Sequence, residues 1–323
     1  LNGNATVAGW TTTNIENFTI GLTSGAAGAE TLTVNLLNSS ASTVTVSGTS
    51  VSAASDTVAF TNVAGGTTIG LASSTDIDVT ATFLTAATKG TADSVSVSLG
   101  STAMTASGDA VVTITAGMET MNLSSTGGAN VIGDLVFGGT TLNITGDQNL
   151  TVDAALDASL DLIDASAASG KLDLTTANDT TTPDATVASV DVVDITVKGG
   201  SGNDNLDLTN NATDNEILVE AGAGDDVIHL GATPVNAAAT IAGDVIKGGA
   251  GTDTLNVDVD IVDAGTAGIT GLTTITGISE VEALTIDGFA AEANTVNLSN
   301  ISSEIDTVTV ASATGGNLTI NAA

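Results

Sequence analysis

Three copies of one short pattern, rich in glycine and aspartate, lie in the second half of the 323-residue chain. They read GGSGNDNLD at 199–207, AGAGDDVIH at 221–229 and GGAGTDTLN at 248–256. Each copy opens with glycines or alanine, places an aspartate at its sixth position and an apolar residue at its eighth. Glycine permits the left-handed and tight backbone angles of a turn, and an apolar residue can begin a buried strand. The copies therefore predict repeated turns, each of which leads into a strand.

The pattern G-G-x-G-x-D-x-U-x, in which U is apolar, is the nonapeptide of calcium-binding parallel β-rolls. Its sixth position offers a hard carboxylate, which suits Ca²⁺ because this ion takes roughly six to eight oxygen ligands. The eighth-position residues Leu206, Ile228 and Leu255 are predicted to point into the roll. The residues predicted to hold the metal are Gly199, Gly200, Ser201, Gly202, Asn203, Asp204, Ala221, Gly222, Ala223, Gly224, Asp225, Asp226, Gly248, Gly249, Ala250, Gly251 and Asp253.

The spacing of the copies predicts which edge of the solenoid carries them. The copies begin at Gly199, Ala221 and Gly248, which leaves room for one complete coil between successive glycine turns. We therefore expect the three turns to stack on one edge, with about two Ca²⁺ ions between them and none on the opposite edge. The predicted elements are strand 205–209, turn 210–215 and strand 216–220, then strand 227–231, loop 232–243 and strand 244–247.

Stacked turns would bring carboxylates close together. Asp204 would lie about 5 Å from Asp225 and Asp226 at the spacing of neighbouring strands. Like charges at that distance repel unless a cation lies between them. We expect the stretch to be loose without Ca²⁺ and ordered with it, and Asp204 and Asp226 to face the same ion. The alternative is that these are glycine-rich turns that bind nothing.

Apolar residues alternate with serine and threonine over most of the chain, as in ETLTVNLL at 30–37, STVTVSG at 42–48 and DSVSVSLG at 93–100. This period of two predicts strands, and repeated strands that bury their faces only against neighbouring coils predict a solenoid. The predicted fold is all-β: a right-handed parallel β-solenoid or β-roll with flanking β-rich modules. A short helix is an alternative to a strand only at 83–90 and 154–167.

Acidic residues are concentrated in the middle of the chain, which predicts three regions. They are a β-rich module at 1–140, a calcium-binding β-solenoid at 141–265 and a further β-rich module at 266–323. A second repeat pairs a glutamate with a following strand, in IENFTI at 15–20, METMNL at 118–123 and VEALTI at 281–286. Because the chain starts and stops within the same style of sequence, we expect a fragment of a longer polypeptide.

The chain has 37 acidic residues, four lysines and no arginine, which gives a net charge of −33. This balance argues against nucleic acid or an anionic membrane as a partner and favours divalent cations. No cysteine is present, so no disulfide can staple the fold. We also expect no membrane span, since no apolar run approaches the required length.

Other groups of polar residues give weaker indications. Asp153, Asp157, Asp161 and Asp164 would line one face of a helix, where they could hold a metal or simply be solvated; on a solenoid they would mark successive edges. His229, the only histidine, is predicted to face solvent. One histidine and no cysteine exclude the common zinc sites. A carboxylate-pair glycosidase is disfavoured by the scarcity of aromatic residues, and we predict no enzymatic activity.

The three nonapeptides resemble those of RTX proteins, which bacteria export by type I secretion. The stretch 150–176 and the strand that follows it resemble crystalline surface-layer (S-layer) proteins of Gram-negative bacteria, in which an Asp-Ala-Ser-x-x-x-Gly turn precedes the glycine–aspartate turns. The matching residues are Asp164, Ala165, Ser166 and Gly170.

This resemblance implies a secreted, calcium-dependent β-solenoid protein on the bacterial cell surface that associates with itself in a lattice. It also implies anchoring, for instance to surface polysaccharide, through a region not present in the sequence. Two alternatives stay open: an RTX adhesin or extracellular filament subunit, and a non-catalytic β-roll module of a secreted enzyme.

Overall fold

The chain forms two compact units, Leu1–Leu160 and Asp161–Ala323. Strands make up nearly all of the regular structure in both units. The computed structural model describes residues 5–7, 11–12, 14–23, 29–50, 55–103, 110–115, 117–177, 195–210, 217–230, 245–258, 277–287, 293–298, 302–311 and 317–321.

The described part of the first unit contains sixteen strands and one 3₁₀ turn, Thr85–Ala87. The strands are β1 (Ala5–Val7), β2 (Thr11–Thr12), β3 (Asn17–Thr23), β4 (Thr31–Asn35), β5 (Asn38–Ser39), β6 (Thr43–Thr49), β7 (Asp56–Val63), β8 (Thr68–Thr75), β9 (Ile77–Phe83), β10 (Ser94–Gly100), β11 (Val111–Ile114), β12 (Thr120–Thr126), β13 (Asn130–Ile132), β14 (Asp134–Phe137), β15 (Thr141–Gly146) and β16 (Leu150–Val152).

These strands form parallel sheets in which each neighbour comes from the next pass of the chain. Sheet I has the order β1-β4-β7-β9-β11-β14, and sheet II has the order β3-β6-β8-β10-β12-β15. Two smaller parallel pairs, β2 with β5 and β13 with β16, complete the coils. A chain that returns to the same sheet in the same direction on every pass is a parallel β-solenoid.

The core of the first unit is built from residues that repeat at the same place in every coil. Val44, Ile69, Val97, Leu123 and Ile144 occupy one column of sheet II, in register from strand to strand. Each is at most 1% exposed, while the serines and threonines between them point outward. The period of two thus places one apolar row inside the coil and one polar row outside it.

The second unit has thirteen strands in its described part. They are β17 (Leu162–Ala168), β18 (Leu172–Thr175), β19 (Ile195–Lys198), β20 (Asn205–Leu208), β21 (Ile217–Ala223), β22 (Val227–Leu230), β23 (Val245–Ala250), β24 (Thr254–Asp258), β25 (Ile278–Ser279), β26 (Ala283–Asp287), β27 (Ala293–Asn297), β28 (Thr307–Val310) and β29 (Asn317–Asn321).

The second unit repeats the same architecture. Sheet III contains β17-β19-β21-β23-β25, and sheet IV contains β18-β20-β22-β24-β26-β28, both parallel. Leu174, Leu206, Ile228, Leu255 and Leu284 form one buried column of sheet IV. Three of these are the eighth-position residues of the nonapeptides, so their inward orientation is confirmed. The predicted all-β parallel solenoid is likewise confirmed.

Three sequence-based expectations about elements change. The stretch 154–167 does not form a helix, because Leu162–Ala168 is a strand that pairs with β19. At 83–90 the chain makes only the short 3₁₀ turn. The described strands within 1–140, a range expected to be a flanking β-rich module, themselves form solenoid coils. Of the predicted connections, the turn at 210–215 beyond residue 210 and the loop at 232–243 lie outside the described residues.

Candidate cation-binding edge of the second unit

The three glycine turns lie over one another at one edge of the second unit. Each turn joins a strand of sheet III to a strand of sheet IV: β19 to β20, β21 to β22, and β23 to β24. Gly222 is in register with Gly249, and the Ala223 N–H donates to the Gly200 carbonyl oxygen at 3.0 Å. The stacking predicted from the spacing is therefore confirmed.

The glycines are required because the turns approach one another closely. Gly251 has a φ of +148°, and a Cβ placed on it would lie 1.9 Å from the Gly224 carbonyl oxygen. Gly224 has a φ of +129°, and its Cβ would lie 2.4 Å from the carbonyl oxygen of Gly202. Left-handed backbone angles and close approach both select glycine. Backbone carbonyls from successive coils thus share one narrow column.

Ala221 departs from the glycine pattern without disturbing it. The residue lies inside strand β21, and its side chain is completely buried. An extended backbone position accepts any L-residue, so this first position does not need glycine for its angles. The second copy therefore stacks with the other two.

The sixth-position aspartates are buried side chains that bond to the backbone of another coil. Asp204, Asp226 and Asp253 are 1%, 0% and 0% exposed. The Asp226 carboxylate accepts the Asp204 N–H at 2.7 Å, and the Asp253 carboxylate accepts the Asp226 N–H at 2.8 Å. Asp204 accepts the N–H groups of Leu172 and Gly200, both at 2.8 Å. Each aspartate thus links its coil to the preceding one.

The fifth-position residues form a second set of links that runs in the opposite direction. The Asn203 side-chain oxygen accepts the Asp225 N–H at 3.1 Å, and the Asp225 carboxylate accepts the Thr252 N–H at 2.9 Å. Here the side chain of the earlier coil accepts from the later one. The dipeptides Asn203-Asp204 and Asp225-Asp226 therefore bind neighbouring coils reciprocally, a role that the calcium-binding motif by itself does not predict.

Two oxygens in this column accept no hydrogen bond from any described residue: Asp226 Oδ2 and Asp253 Oδ2. Burial raises the pKa of Asp226 to about 7, and the charges of Asp204, Asp253 and Asp225 add to the increase. Burial also raises the pKa of Asp253, with further contributions from Glu282, Asp225 and Glu280, and it raises the pKa of Asp204. An unpaired, buried carboxylate oxygen is unfavourable as an anion unless a cation compensates it.

The donor set suits a hard cation such as Ca²⁺. Each of the second and third turns provides one unpaired carboxylate oxygen, the stacked turns also bring glycine carbonyl oxygens together, and Ca²⁺ prefers oxygen ligands of both kinds. Across the described residues, no three or more His, Cys, Asp or Glu side chains group as a metal site. A cation here would therefore take most of its ligands from the backbone and water. Both oxygens of Asp204 already accept N–H groups, so Asp226 and Asp253 are the better candidates.

The acidic column continues beyond the three nonapeptides. Asp204, Asp226, Asp253, Glu282 and Asp306 each lie immediately before a strand of sheet IV, in register. The Glu282 carboxylate accepts the Asp253 N–H at 2.8 Å, as a sixth-position aspartate does. The signal was present in the sequence as VEALTI, an acidic residue directly before an alternating strand, but the missing glycines separate it from the nonapeptide pattern.

The aspartates of 153–164 do not line a helix. Asp164 lies in β17, where its carboxylate accepts hydrogen bonds from the Ser166 hydroxyl at 2.6 Å and the Ser166 N–H at 3.1 Å. The hydroxyl bond is the main reason that the pKa of Asp164 is lowered. Asp157 similarly accepts hydrogen bonds from Ser159. The carboxylates of Asp157 and Asp164 therefore accept hydrogen bonds from serines two residues further along the chain.

His229 lies on the outward face of β22, partly exposed as predicted. Its Nε2 is 2.8 Å from the Asn205 side-chain oxygen, and its Nδ1 is 3.0 Å from the Asn256 amide nitrogen. An oxygen accepts and an amide nitrogen donates, so Nε2 faces an acceptor and Nδ1 faces a donor. Asn205 also donates to Asp173 at 2.7 Å, which extends this polar ladder over four strands of sheet IV.

Comparison of the chain with protein-family models, with curated proteins and with solved structures finds no match. The sequence patterns and the geometry of the stacked turns are therefore what indicate a function. Among the described residues, no helix has the length and apolar character needed to cross a membrane.

Proposed function

We propose that this chain is a structural protein of the bacterial cell surface that associates with itself and depends on Ca²⁺ for folding and assembly. The observation that carries the proposal is the pair of buried, unpaired oxygens, Asp226 Oδ2 and Asp253 Oδ2, in a column of stacked glycine turns. The resemblance of the nonapeptides to RTX proteins, and of 150–176 to S-layer proteins, supplies the setting: secretion by the type I route and assembly in a surface lattice.

The residues of the turns would act on the ion in two ways. Asp226 Oδ2 and Asp253 Oδ2 would provide negative oxygens, and the glycines would let carbonyl oxygens approach from neighbouring coils. A bound Ca²⁺ would supply positive charge that offsets the burial of these carboxylates. Because the donors come from different coils, binding would favour the stacked arrangement over the unfolded chain.

Calcium-dependent folding is tested by thermal unfolding in chelator and in increasing Ca²⁺, followed by circular dichroism. We expect the wild-type midpoint to rise with Ca²⁺, and the Asp226→Asn/Asp253→Asn variant to lose most of that rise. Asparagine retains an oxygen that can accept the same N–H but lacks the charge. The matched control is Asp207→Asn, an outward residue of β20 that should respond like wild type. If Ca²⁺ does not shift the unfolding midpoint of the wild type, the proposed dependence of folding on calcium is wrong.

Assembly is tested by electron microscopy of the same protein with and without Ca²⁺. Two-dimensional protein layers that appear only with Ca²⁺ support the surface-layer function. Fibres would instead support the filament subunit. Monodisperse particles under all conditions would contradict both, and the proposed self-association would be abandoned.

A further inference from the structure

We propose that the outer face of sheet II is a contact surface for a second copy of this chain. This inference rests on the proposed self-association and adds the place where it occurs. We call the surface the hydroxyl face. Its outward residues are Asn17, Thr19, Gly21, Thr43, Thr45, Ser47, Thr68, Ala72, Ser94, Ser96, Ser98, Gly100, Thr120, Asn122, Ser124, Thr126, Thr141, Asn143 and Thr145.

The hydroxyl face has an unusual composition for so acidic a protein. None of its described residues is charged, and none is larger than threonine or asparagine. The side chains are in register across the coils, so that Ser98 lies beside Ser124 and Asn122 lies beside Asn143. The Asn143 amide donates to the Asn122 side-chain oxygen at 2.9 Å. The result is a regular array of small groups that both donate and accept hydrogen bonds.

The outward faces of other sheets differ from it. Sheet I, in the same unit, presents Asp78 and Asp134 among its threonines. Sheet III, in the second unit, presents a column of alternating charge, Asp164, Lys198, Glu220 and Lys247, in which Lys247 Nζ lies 3.2 Å from Glu220 Oε1. The absence of charge is thus a property of sheet II rather than of strands in this chain generally.

The net charge of the chain indicates that a second copy is the partner that binds the hydroxyl face. Each copy carries a net charge of −33, and face-to-face sheets pack about 10 Å apart, which is close to the Debye length at physiological salt. Two copies meet with least repulsion through a face that has no carboxylates. Glu16, Asp93 and Glu119 lie directly before β3, β10 and β12, and Asp147 directly follows β15, so these carboxylates lie at the rims and not on the face. Groups that donate and accept equally well are also complementary to themselves, as a two-fold contact requires.

The area of the hydroxyl face suits a contact that acts together with other contacts between copies. Six strands extend about 24 Å across the sheet and about 20 Å along it, or about 500 Å² per copy. A stable isolated pair buries about 800 Å² per partner, so this contact alone would be weak. In a lattice, where each copy is held at more than one place, weak contacts add through high effective concentration. Higher salt should strengthen the contact, because it screens the rim carboxylates.

The test places two charges at the centre of the face with Ser98→Asp/Ser124→Asp. The matched control, Thr80→Asp/Thr113→Asp, adds the same charges to paired outward positions of sheet I. Assembly is followed by light scattering and electron microscopy in Ca²⁺, and folding by circular dichroism. We expect the critical concentration for assembly to rise at least about tenfold for the first variant and to stay near wild type for the control. Equal assembly by the two variants overturns the hydroxyl face but leaves self-association standing. A wild type that never assembles overturns both.

A second measurement uses the absence of cysteine in the chain. Ser124→Cys and Thr113→Cys each provide one thiol, on the hydroxyl face and on sheet I respectively. A short bifunctional maleimide added to assembled protein should join two copies through Cys at position 124 and not through Cys at position 113. Cross-linking only at position 113, or equally at both, contradicts the proposal, and this holds even if the double aspartate variant fails to fold.

Discussion

Asp226 and Asp253 each combine two tasks that are usually separate. One oxygen of Asp226 accepts the Asp204 N–H at 2.7 Å and so fixes the distance between coils, while the other oxygen is buried and unpaired. A hydrogen bond to the charged form favours ionisation, whereas burial opposes it, and burial is the larger effect here because the pKa rises. Each aspartate is therefore a structural link whose protonation depends on what occupies the column.

The opposing effects of burial and hydrogen bonding on the pKa of Asp226 predict how stability depends on pH in the absence of divalent cations. The pKa of Asp226 is about 7 in the folded chain against 3.8 for an unperturbed aspartate. Between these values the folded state keeps a proton that the unfolded chain has released, so the free energy of unfolding falls as the pH rises. The slope is at most about 1.4 kcal/mol per pH unit for one group. Urea unfolding in chelator between pH 4 and pH 8 measures it.

Two variants separate Asp226 from the general repulsion of an acidic chain. Asp226→Asn cannot ionise and should flatten the pH profile between pH 4 and pH 7. Asp207→Asn removes the same charge from an outward position and should keep the wild-type slope. Identical slopes for the two variants would show that Asp226 does not hold its proton in the folded state.

At the scale of elements, the glycine turns are the least tolerant part of the second unit. The φ of Gly251 excludes most side chains, and its missing Cβ makes room for the Gly224 carbonyl oxygen. Gly251→Ala should therefore lower the free energy of unfolding by more than about 2 kcal/mol, through backbone strain and through separation of the turns. Gly138→Ala is the control, because a Cβ there meets no atom within 4 Å. Thermal unfolding compares them, and an equal, small loss for both would disprove the close packing.

The elements also show what the sequence could and could not predict. Period-two alternation located the strands, and the spacing of the copies, which begin at Gly199, Ala221 and Gly248, predicted that the glycine turns stack on one edge. The shared register of Leu206, Ile228 and Leu255 agrees with that prediction. The spacing of the aspartates at 153–164 wrongly suggested a helix, because spacings of three and four residues suit one. Part of this stretch is instead a strand, β17, since it pairs with β19, which lies far along the chain. The bonds from Asp226 and Asp253 to the preceding coil depend on the offset between coils, which no single coil encodes.

For the molecule as a whole, register is preserved although coil length is not. Thr120 is paired with Thr141, whereas Leu162 is paired with Thr196, so the second of these passes uses a much longer piece of chain than the first. The described strands therefore keep their register over passes of different length. What each coil must provide is a short alternating strand at the same place, because stability comes from contacts between neighbouring coils.

Interchangeable coils predict that a complete coil can be removed. Deleting the segment 205–226 joins Asp204 to Val227, a junction chemically equal to the native Asp226-Val227. It also lets Val227 take the place of Asn205 beside Asp173. We expect a folded second unit with reduced stability, seen as a retained strand signal in circular dichroism and a lower unfolding midpoint.

The matched deletion, residues 217–226, removes β21 and the second turn but leaves β20. Two sheet IV strands would then follow each other with no sheet III strand between them, so the coil cannot close. This variant should lose cooperative unfolding. If both deletions are equally disruptive, the coils are not interchangeable units.

The parallel register has a mechanical consequence for each unit. The hydrogen bonds between coils, from the strand ladders and from the reciprocal aspartate links, all point from one coil to the next. A force that pulls on a chain end opens the interface of the terminal coil before that of the next, so we expect the coils to peel away in sequence at low load. A force along the strands loads every rung of a ladder together. Each unit is consequently soft in the direction of stacking and stiff along its strands, much as a laminate is weakest between its plies.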